Sequence, residues 1–218
     1  MKIGIIVAME KELRQLQTLF NDGDVVVEQC GIGKVNAAIG AAEMIRQHHP
    51  DAIISSGCAG GCGEGIQVQD VVVSNQLAYH DVYCGTAIGH SVYGQVQGMP
   101  ARFDADSALL HQAMEMAHQQ QATRIVPGLI VTGDWFVDSR EKMQQIVDLF
   151  PDAIAVDMES AAIAQTCFIY KVPFVSFRVI SDVPLSDHQA SQYHDFWDHI
   201  AEQSFQTTRT FVENLRKL

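Results

Sequence analysis

The sequence predicts the α/β fold class, with a mostly parallel sheet that helices cover on both faces. Short apolar segments of strand length alternate along the chain with longer segments of helical periodicity. This alternation is typical of units in which a helix connects two parallel strands. The 218 residues are enough for one large domain of this class or for two small ones.

The N-terminal part begins with an apolar strand and a polar helix, and it then repeats the pattern. The second helix has apolar residues at helical spacing and ends before Pro50. The glycines of residues 31–33 close the second strand. The predicted elements are the strand Lys2–Ala8, the helix Glu10–Phe20, the strand Val25–Cys30, the helix Lys34–His49, and the strands Ala52–Ser56 and Asp70–Ser74.

The C-terminal part continues the alternation after a different kind of segment. Residues 76–104 are poor in helix signals and rich in Gly, Tyr and His, which predicts an irregular or antiparallel section. Pro173 separates a helix from the last strand. The predicted elements are the helix Asp106–Gln121, the strand Ile125–Thr132, the helix Ser139–Phe150, the strand 153–157, the helix 158–170, the strand 174–181 and a last helix over about Tyr193–Arg216.

Composition and charge exclude several classes of partner. The net charge of −12 argues against binding to nucleic-acid backbones or anionic membranes. The apolar runs are too short for a membrane span, and the N-terminal run is too short and too charged for a signal peptide. Five scattered cysteines indicate free thiols in a reducing compartment, so we expect a cytoplasmic protein. Cys58 and Cys62 lack a second ligand pair, and we expect no metal site.

Carboxylates follow three of the predicted strands. Glu10 and Glu12 come after the first strand, Asp157 and Glu159 after the strand 153–157, and Asp182 after the last strand. Charge at the end of a buried strand is costly unless it has a partner or a task. The carboxyl ends of parallel strands form the usual active-site edge of an α/β sheet. This pattern indicates an enzyme.

Each of these signals also has a plainer explanation. The small residues of 57–61 suit a tight structural turn as well as a turn that offers N–H donors to a ligand. Asp157 and Glu159 suit a helix N-terminus as well as a pair of vicinal hydroxyl groups. Asp182 fits a turn before Pro184 as well as a proton donor, and the aromatic pair Trp135-Phe136 fits core packing as well as stacking on a planar ligand.

The ordered set of motifs is more specific than any one of them. The set comprises Lys2-Ile3-Gly4-Ile5-Ile6, Ala8-Met9-Glu10-Lys11-Glu12, Gly31-Ile32-Gly33-Lys34-Val35, Ser56-Gly57-Cys58-Ala59-Gly60-Gly61, Asp70-Val71-Val72-Val73-Ser74, Tyr79-His80-Asp81, Gly128 to Asp134, Ala153 to Glu159, and Arg178-Val179-Ile180-Ser181-Asp182. In this order, over nearly the whole chain, it resembles the nucleoside phosphorylase/nucleosidase superfamily. Within that superfamily it is most similar to the 5′-methylthioadenosine/S-adenosylhomocysteine nucleosidases.

The resemblance implies one domain over residues 1–218 with a mixed, mostly parallel, twisted sheet flanked by helices, of the phosphorylase/hydrolase-like type. It also implies a homodimer that acts on a small purine nucleoside. The implied reaction is hydrolysis of the N-glycosidic bond of 5′-methylthioadenosine and S-adenosylhomocysteine, which releases adenine and a thioribose. Such a reaction passes through a cationic sugar and needs an acid for the base and a base for water, with no metal or organic cofactor.

The resemblance also assigns roles to individual residues. Asp182 would protonate N7 of the purine with help from Ser181, while Glu12 would activate the attacking water and Arg178 would help to hold it. Glu159 would bind the ribose hydroxyls beside Met158. The remaining expected substrate contacts are Phe136 stacked on the base, Val137 reading the base edge through its backbone, Cys58, Ala59 and Gly60 in the glycine-rich motif, and Met9, Ile32 and Tyr93 near the 5′ substituent.

Three features depart from the family pattern. The link from Phe20 to Gly31 is short, which predicts a changed 5′ pocket or dimer contact and a sheet that lacks strands. Cys58 stands where the family usually has Ser, which weakens a polar contact. Asp157 stands where the family usually has Glu, so the side chain that carries the carboxylate is one methylene shorter.

Other functions stay open at this stage. A purine nucleoside phosphorylase needs cationic groups for phosphate, but Ser55-Ser56 precedes the glycine motif where phosphorylases of this fold have Arg. A nucleosidase for adenosine, inosine or a futalosine-like nucleoside is consistent with the short Phe20–Gly31 link. A non-catalytic nucleoside-binding module is disfavoured because Asp182 and Glu12 are both present.

Overall fold

The computed structural model of the protein describes residues 1–20, 23–85, 91–119, 123–186, 189–197 and 205–217, with the side chains of residues 189–191 also outside the description. The strands are β1 (Ile3–Val7), β2 (Val25–Gln29), β3 (Ala52–Gly61), β4 (Val71–Tyr79), β5 (Phe103–Asp104), β6 (Ile125–Thr132), β7 (Ala153–Asp157) and β8 (Phe174–Asp182). The helices are α1 (Glu10–Gln17), α2 (Lys34–His48), α3 (Ser107–Gln119), α4 (Arg140–Leu149), α5 (Ser160–Tyr170), α6 (Gln189–Asp195) and α7 (Gln206–Leu215).

Five strands form a closed circuit. β3 pairs in parallel with β8, and the last residues of β3 pair antiparallel with β7. β8 pairs antiparallel with β4, and β4 pairs in parallel with β6. β6 then pairs in parallel with β7, which returns the circuit to β3. The sheet is therefore mixed and mostly parallel, as predicted.

The remaining strands extend the circuit on two sides. β1 pairs in parallel with β3, and β2 pairs in parallel with β1 at the edge. β5 adds antiparallel to β4. β2 is thus present as the edge strand of the sheet, although the link from Phe20 to Gly31 that contains it is short.

Helices cover the sheet on opposite sides because each has an apolar face to bury. Ala37, Ala41 and Met44 of α2 pack in one cluster with Ala161 and Ile163 of α5. The cluster on the other side contains apolar residues of α1, α3 and α7. No helix in the described ranges is both long enough and apolar enough to cross a membrane.

The structure corrects several predicted boundaries. β3 continues through Gly61, so residues 57–61 are strand and not a turn after a strand. A Cβ on Gly61 would lie 2.8 Å from Ile66 Cγ2, which explains why this stretch of strand is glycine. β4 likewise continues to Tyr79, into the stretch that was predicted to be irregular or antiparallel, and β5 supplies an antiparallel pair there.

Helix boundaries differ for local reasons. α1 ends at Gln17, and α5 begins at Ser160 because Glu159 has a non-helical backbone and is the N-cap residue. The predicted helix Tyr193–Arg216 corresponds to α6 and α7, which the described residues place on either side of residues 198–204. Residues 198–204 and 86–90, on which parts of the predictions fall, lie outside the described residues.

Candidate active site

A cavity opens where the carboxyl ends of β1, β6, β7 and β8 meet the glycine-rich half of β3. Twelve of the fourteen predicted site residues line it. These are Met9, Glu12, Ile32, Cys58, Ala59, Gly60, Phe136, Val137, Met158, Glu159, Ser181 and Asp182. The remaining two predicted residues, Arg178 and Tyr93, are not part of the lining.

Glu12 is a buried carboxylate that accepts hydrogen bonds from three backbone N–H groups. Its Oε2 accepts hydrogen bonds from the N–H groups of Ala8 and Met9, each at 3.0 Å, and its Oε1 accepts one from Cys58 N at 3.0 Å. The first two bonds fix the N-terminus of α1 to its own first turn. Burial raises the pKa of Glu12, while the charge of Arg178 and the three N–H donors oppose the rise. A buried carboxylate with a raised pKa is suited to accept a proton.

Arg178 lies beneath the cavity and is almost completely buried. Its Nε donates to Ser160 Oγ at 3.0 Å, and its Nη2 donates to Ser55 Oγ at 2.8 Å. Nη1 faces Gly57, since a Cβ there would lie 2.3 Å from Nη1 and 2.7 Å from Glu12 Oε1. The guanidinium therefore approaches Glu12 only because residue 57 has no side chain.

Asp157 provides the principal charge partner of Arg178. Asp157 Oδ2 lies 2.7 Å from Arg178 Nε, and its Oδ1 accepts the hydroxyl hydrogen of Thr132. The Asp157 carboxylate also accepts the backbone N–H of Ser160 at the start of α5. Asp157 therefore satisfies the first backbone N–H of α5, although Glu159 is the N-cap residue, and it also pairs with the charge of Arg178 and lines the cavity.

Glu159 connects the cavity to the glycine turn before α2. Its Oε1 accepts a hydrogen bond from Gly33 N at 3.0 Å, and its Oε2 lies 3.9 Å from Arg178 Nη2. Burial raises the pKa of Glu159 to about 7, with a further upward contribution from the charge of Asp157 and opposition from Arg178. One arginine therefore faces three buried carboxylates.

Asp182 is buried at the end of β8 and bonded to its neighbour. Ser181 Oγ donates to Asp182 Oδ1 at 2.6 Å, and the same hydroxyl lies 3.4 Å from the carbonyl oxygen of Ala59. The hydroxyl therefore orients the carboxyl group toward the cavity that both residues line.

Aromatic rings form the outer wall. Phe136 follows β6, is half-exposed, and packs edge to face against Tyr193 of α6 with ring centroids 5.7 Å apart. Trp135 also lines the cavity and packs against His80 at 5.3 Å. A half-exposed ring at a cavity wall is available to stack on a planar ligand.

Tyr93 lies elsewhere in this structure. Its ring packs against Tyr83 at 5.9 Å and Phe150 at 6.2 Å. Prediction from sequence placed it near a 5′ substituent, but the described cavity does not include it.

Sequence reasoning missed five lining residues. They are Ala8, Trp135, Val156, Asp157 and Tyr193. Ala8, Val156 and Asp157 lie in motifs already singled out, and Trp135 belongs to the aromatic pair Trp135-Phe136, so membership of these motifs is a usable signal. Tyr193 had none, because only the return of α6 across the sheet brings it to the cavity.

The cavity is strongly acidic. Among the described lining residues are the four carboxylates Glu12, Asp157, Glu159 and Asp182, and none of these residues is Lys, Arg or His. The described part of the chain contains no group of three or more His, Cys, Asp and Glu that could hold a metal ion. Such a lining favours neutral or cationic species over a phosphate dianion.

Comparisons with known proteins agree with this geometry. The model of the phosphorylase superfamily matches residues 16–213. A 5′-methylthioadenosine/S-adenosylhomocysteine nucleosidase of Staphylococcus aureus is 40% identical over 231 aligned positions, which cover 98% of this chain and 100% of the relative.

Solved structures give the same result. The nucleosidase of the same description from Neisseria meningitidis, in complex with methylthio-immucillin-A, has a TM-score of 0.89 and 35% identity, covering 98% of this chain and 99% of the other. That from Colwellia psychrerythraea, in complex with adenine, also has a TM-score of 0.89 and 35% identity, covering 98% and 95%.

Proposed function

Because this chain belongs to the 5′-methylthioadenosine/S-adenosylhomocysteine nucleosidase family of the phosphorylase superfamily, we propose that it hydrolyses the N-glycosidic bond of these two nucleosides. The products are adenine and the corresponding thioribose. The observation that carries the proposal is the lining of the cavity, which contains four carboxylates and, among the described lining residues, no Lys, Arg or His. A sugar that becomes cationic as the bond breaks is stabilised by such a lining.

Asp182 acts as the acid for the departing base. It delivers its proton to N7 of the purine, so that the electrons of the breaking C1′–N9 bond are accepted by a neutral leaving group. The hydrogen bond from Ser181 Oγ to Asp182 Oδ1 orients the carboxyl group for this transfer.

Glu12 acts as the base for water. Water adds its oxygen to C1′ and gives a proton to Glu12, whose raised pKa suits it to accept that proton. Three backbone donors hold the carboxylate in place, and all three belong to residues that line the cavity. Arg178 acts through Glu12 from below the cavity, because its charge keeps Glu12 ionised often enough to react.

Glu159 and the aromatic wall bind the substrate. Glu159 accepts hydrogen bonds from the ribose hydroxyls beside Met158, and Phe136 stacks on the purine, whose edge contacts the backbone of Val137. Met9 and Ile32 provide the apolar surface for the 5′-thio group.

Assembly and location are part of the proposal. Exposed apolar side chains of Ile32, Trp135 and Phe136 line the cavity, and Val35 and Ile39 of α2 are exposed too, which supports a homodimer that covers these residues. Sedimentation at micromolar concentration tests that state. Five free cysteines in the described residues support a reducing, cytoplasmic compartment.

The direct test is release of the purine base, which is adenine from methylthioadenosine, adenosylhomocysteine and adenosine and hypoxanthine from inosine, each measured with and without phosphate. We expect phosphate-independent release that is fastest from the thio-nucleosides. Release that requires phosphate would make the protein a phosphorylase. A preference for adenosine or inosine would agree with hydrolysis of the N-glycosidic bond but would contradict the proposed thio-nucleoside substrates.

A further inference from the structure

A network of three charged residues holds the base-binding segment 133–137 against the start of α2. This segment carries Trp135, Phe136 and Val137 into the cavity. We propose that Asp81 and Lys34 are positioning residues that set the base-binding wall of the cavity independently of its ribose-binding wall. The inference rests on the proposed function, because it takes the ligand to be a purine nucleoside.

Asp81 is the centre of the network. Both of its carboxylate oxygens lie 2.7 Å from Lys34 Nζ, and Oδ2 also accepts the backbone N–H of Asp134 at 2.8 Å. The Asp81 side chain is largely buried, and that of Lys34 is about one-fifth exposed. A charge-assisted bond to the backbone of the segment fixes its first residues directly.

Lys34 closes the network from the other side. Its backbone N–H donates to Asp134 Oδ1 at 2.8 Å, and its Nζ lies 3.6 Å from Asp134 Oδ2. The ammonium group also lies over the ring of Tyr79, 5.6 Å from the centroid. The segment is thus held through both the backbone and the side chain of Asp134.

Close packing leaves the segment little freedom behind these bonds. A Cβ on Gly133 would lie 2.3 Å from His80 Cε1 and 2.9 Å from Asp81 Cγ. His80 is buried under Trp135, and burial lowers its pKa, so the ring packs as a neutral group. Neither ring nitrogen of His80 has a hydrogen-bond partner among the described residues.

The ribose-binding side is held separately by the adjacent residue. Gly33 N donates to Glu159 Oε1, whereas the next N–H, that of Lys34, donates to Asp134. Two successive N–H groups at the start of α2 therefore anchor the two walls of the cavity. Loss of Asp81 removes the bond to the Asp134 backbone and the counter-charge of Lys34, which loosens the base wall and leaves the bond from Gly33 to Glu159 intact.

The experiment compares ligands that contact one wall each. Adenine and methylthioribose are titrated by calorimetry into the wild type, Asp81→Asn and the control Asp138→Asn. Asp138 lies one residue beyond the segment and pairs with Lys142 on the surface. We expect Asp81→Asn to weaken adenine binding about tenfold and methylthioribose binding less than about twofold. We expect Asp138→Asn to change neither.

Trp135 reports on the same wall by fluorescence in a Trp197→Phe background, in which it is the sole tryptophan. Asp81→Asn should shift its emission in the free protein, and adenine should restore part of the shift. Lys34→Met removes the cation and keeps Asp81, and it should show the same adenine-specific loss of affinity. This variant replaces Asp81→Asn in the test if Asp81→Asn folds poorly.

The positioning role would be overturned if Asp81→Asn weakened the binding of adenine and of methylthioribose equally. It would also be overturned if adenine binding were unchanged in both Asp81→Asn and Lys34→Met. Either result would leave the proposed function in place. A wild type that neither binds nor releases adenine would instead overturn the proposed function and the inference with it.

Discussion

Arg178 Nε lies 2.7 Å from Asp157 Oδ2, and both side chains are 1% exposed. The pair connects β8 to β7 below the cavity, and the guanidinium group also donates to Ser160 Oγ from Nε and to Ser55 Oγ from Nη2. Arg178 also opposes the rise that burial causes in the pKa values of Glu12 and Glu159, so this one cation favours the ionised form of both carboxylates. Asp157 therefore holds in place the cation that faces both carboxylates.

Asp157→Asn should destabilise the protein by about 3 kcal/mol, because it leaves a buried guanidinium without its main counter-charge. Urea unfolding measures the loss. Glu213→Gln is a matched control, since Arg209–Glu213 is an ion pair of the same 2.7 Å length on the surface. Surface pairs contribute little, so the control should unfold like the wild type. Equal unfolding of Asp157→Asn and the wild type would mean that the serines suffice to hold Arg178.

Gly57→Ala should abolish most activity. The added methyl group would lie 2.3 Å from Arg178 Nη1 and 2.7 Å from Glu12 Oε1, so both groups must move. The adjacent Cys58→Ser is the control, because the bond to Glu12 comes from the backbone of residue 58 and is kept. We expect kcat for adenine release to fall about 100-fold in Gly57→Ala and to stay within about threefold in Cys58→Ser. A large loss in Cys58→Ser would assign the thiol a role of its own.

Asp182→Asn should leave the fold intact and lower kcat by about 100-fold to 10,000-fold, because the amide cannot give a proton to the base. Ser181→Ala removes only the orienting hydroxyl and should cost less. Single-turnover adenine release from methylthioadenosine separates the two variants. Turnover of Asp182→Asn within about tenfold of the wild type would remove this residue from the acid role.

The pKa of about 7 for Glu159 lies above the usual 4.5, so the folded protein binds this proton more tightly than the unfolded chain does. Its contribution to stability is therefore fully present below pH 4.5 and is lost as the pH rises through about 7. Glu159→Gln should remove this part of the pH dependence, and urea unfolding from pH 5 to pH 8 measures it.

Ligand binding should show the opposite trend. Ribose hydroxyls donate to an ionised carboxylate, so affinity for a nucleoside analogue should rise as the pH approaches 7. The same titration on Glu159→Gln is expected to be flat over this range. If the affinity of Glu159→Gln still rose with pH, the titrating group that controls binding would be a residue other than Glu159.

The sequence by itself determined the α/β class and the edge of the sheet that carries the chemistry. Apolar strands with carboxylates after them are local patterns, and Glu12, Glu159 and Asp182 follow directly from them. Most strand and helix positions are equally local, and they agree with the structure to within a few residues, apart from the extended β3 and β4.

Only the tertiary structure decided which residues meet. The bond from Lys34 to Asp134 spans 100 residues, and the pairing of Arg178 with Asp157 depends on the register of neighbouring strands in a closed circuit. Tyr193 reaches the cavity from α6, and Tyr93 packs outside it. Local periodicity encodes the direction of a side chain within its own element. Contacts between elements arise from strand order and packing, which no local pattern contains.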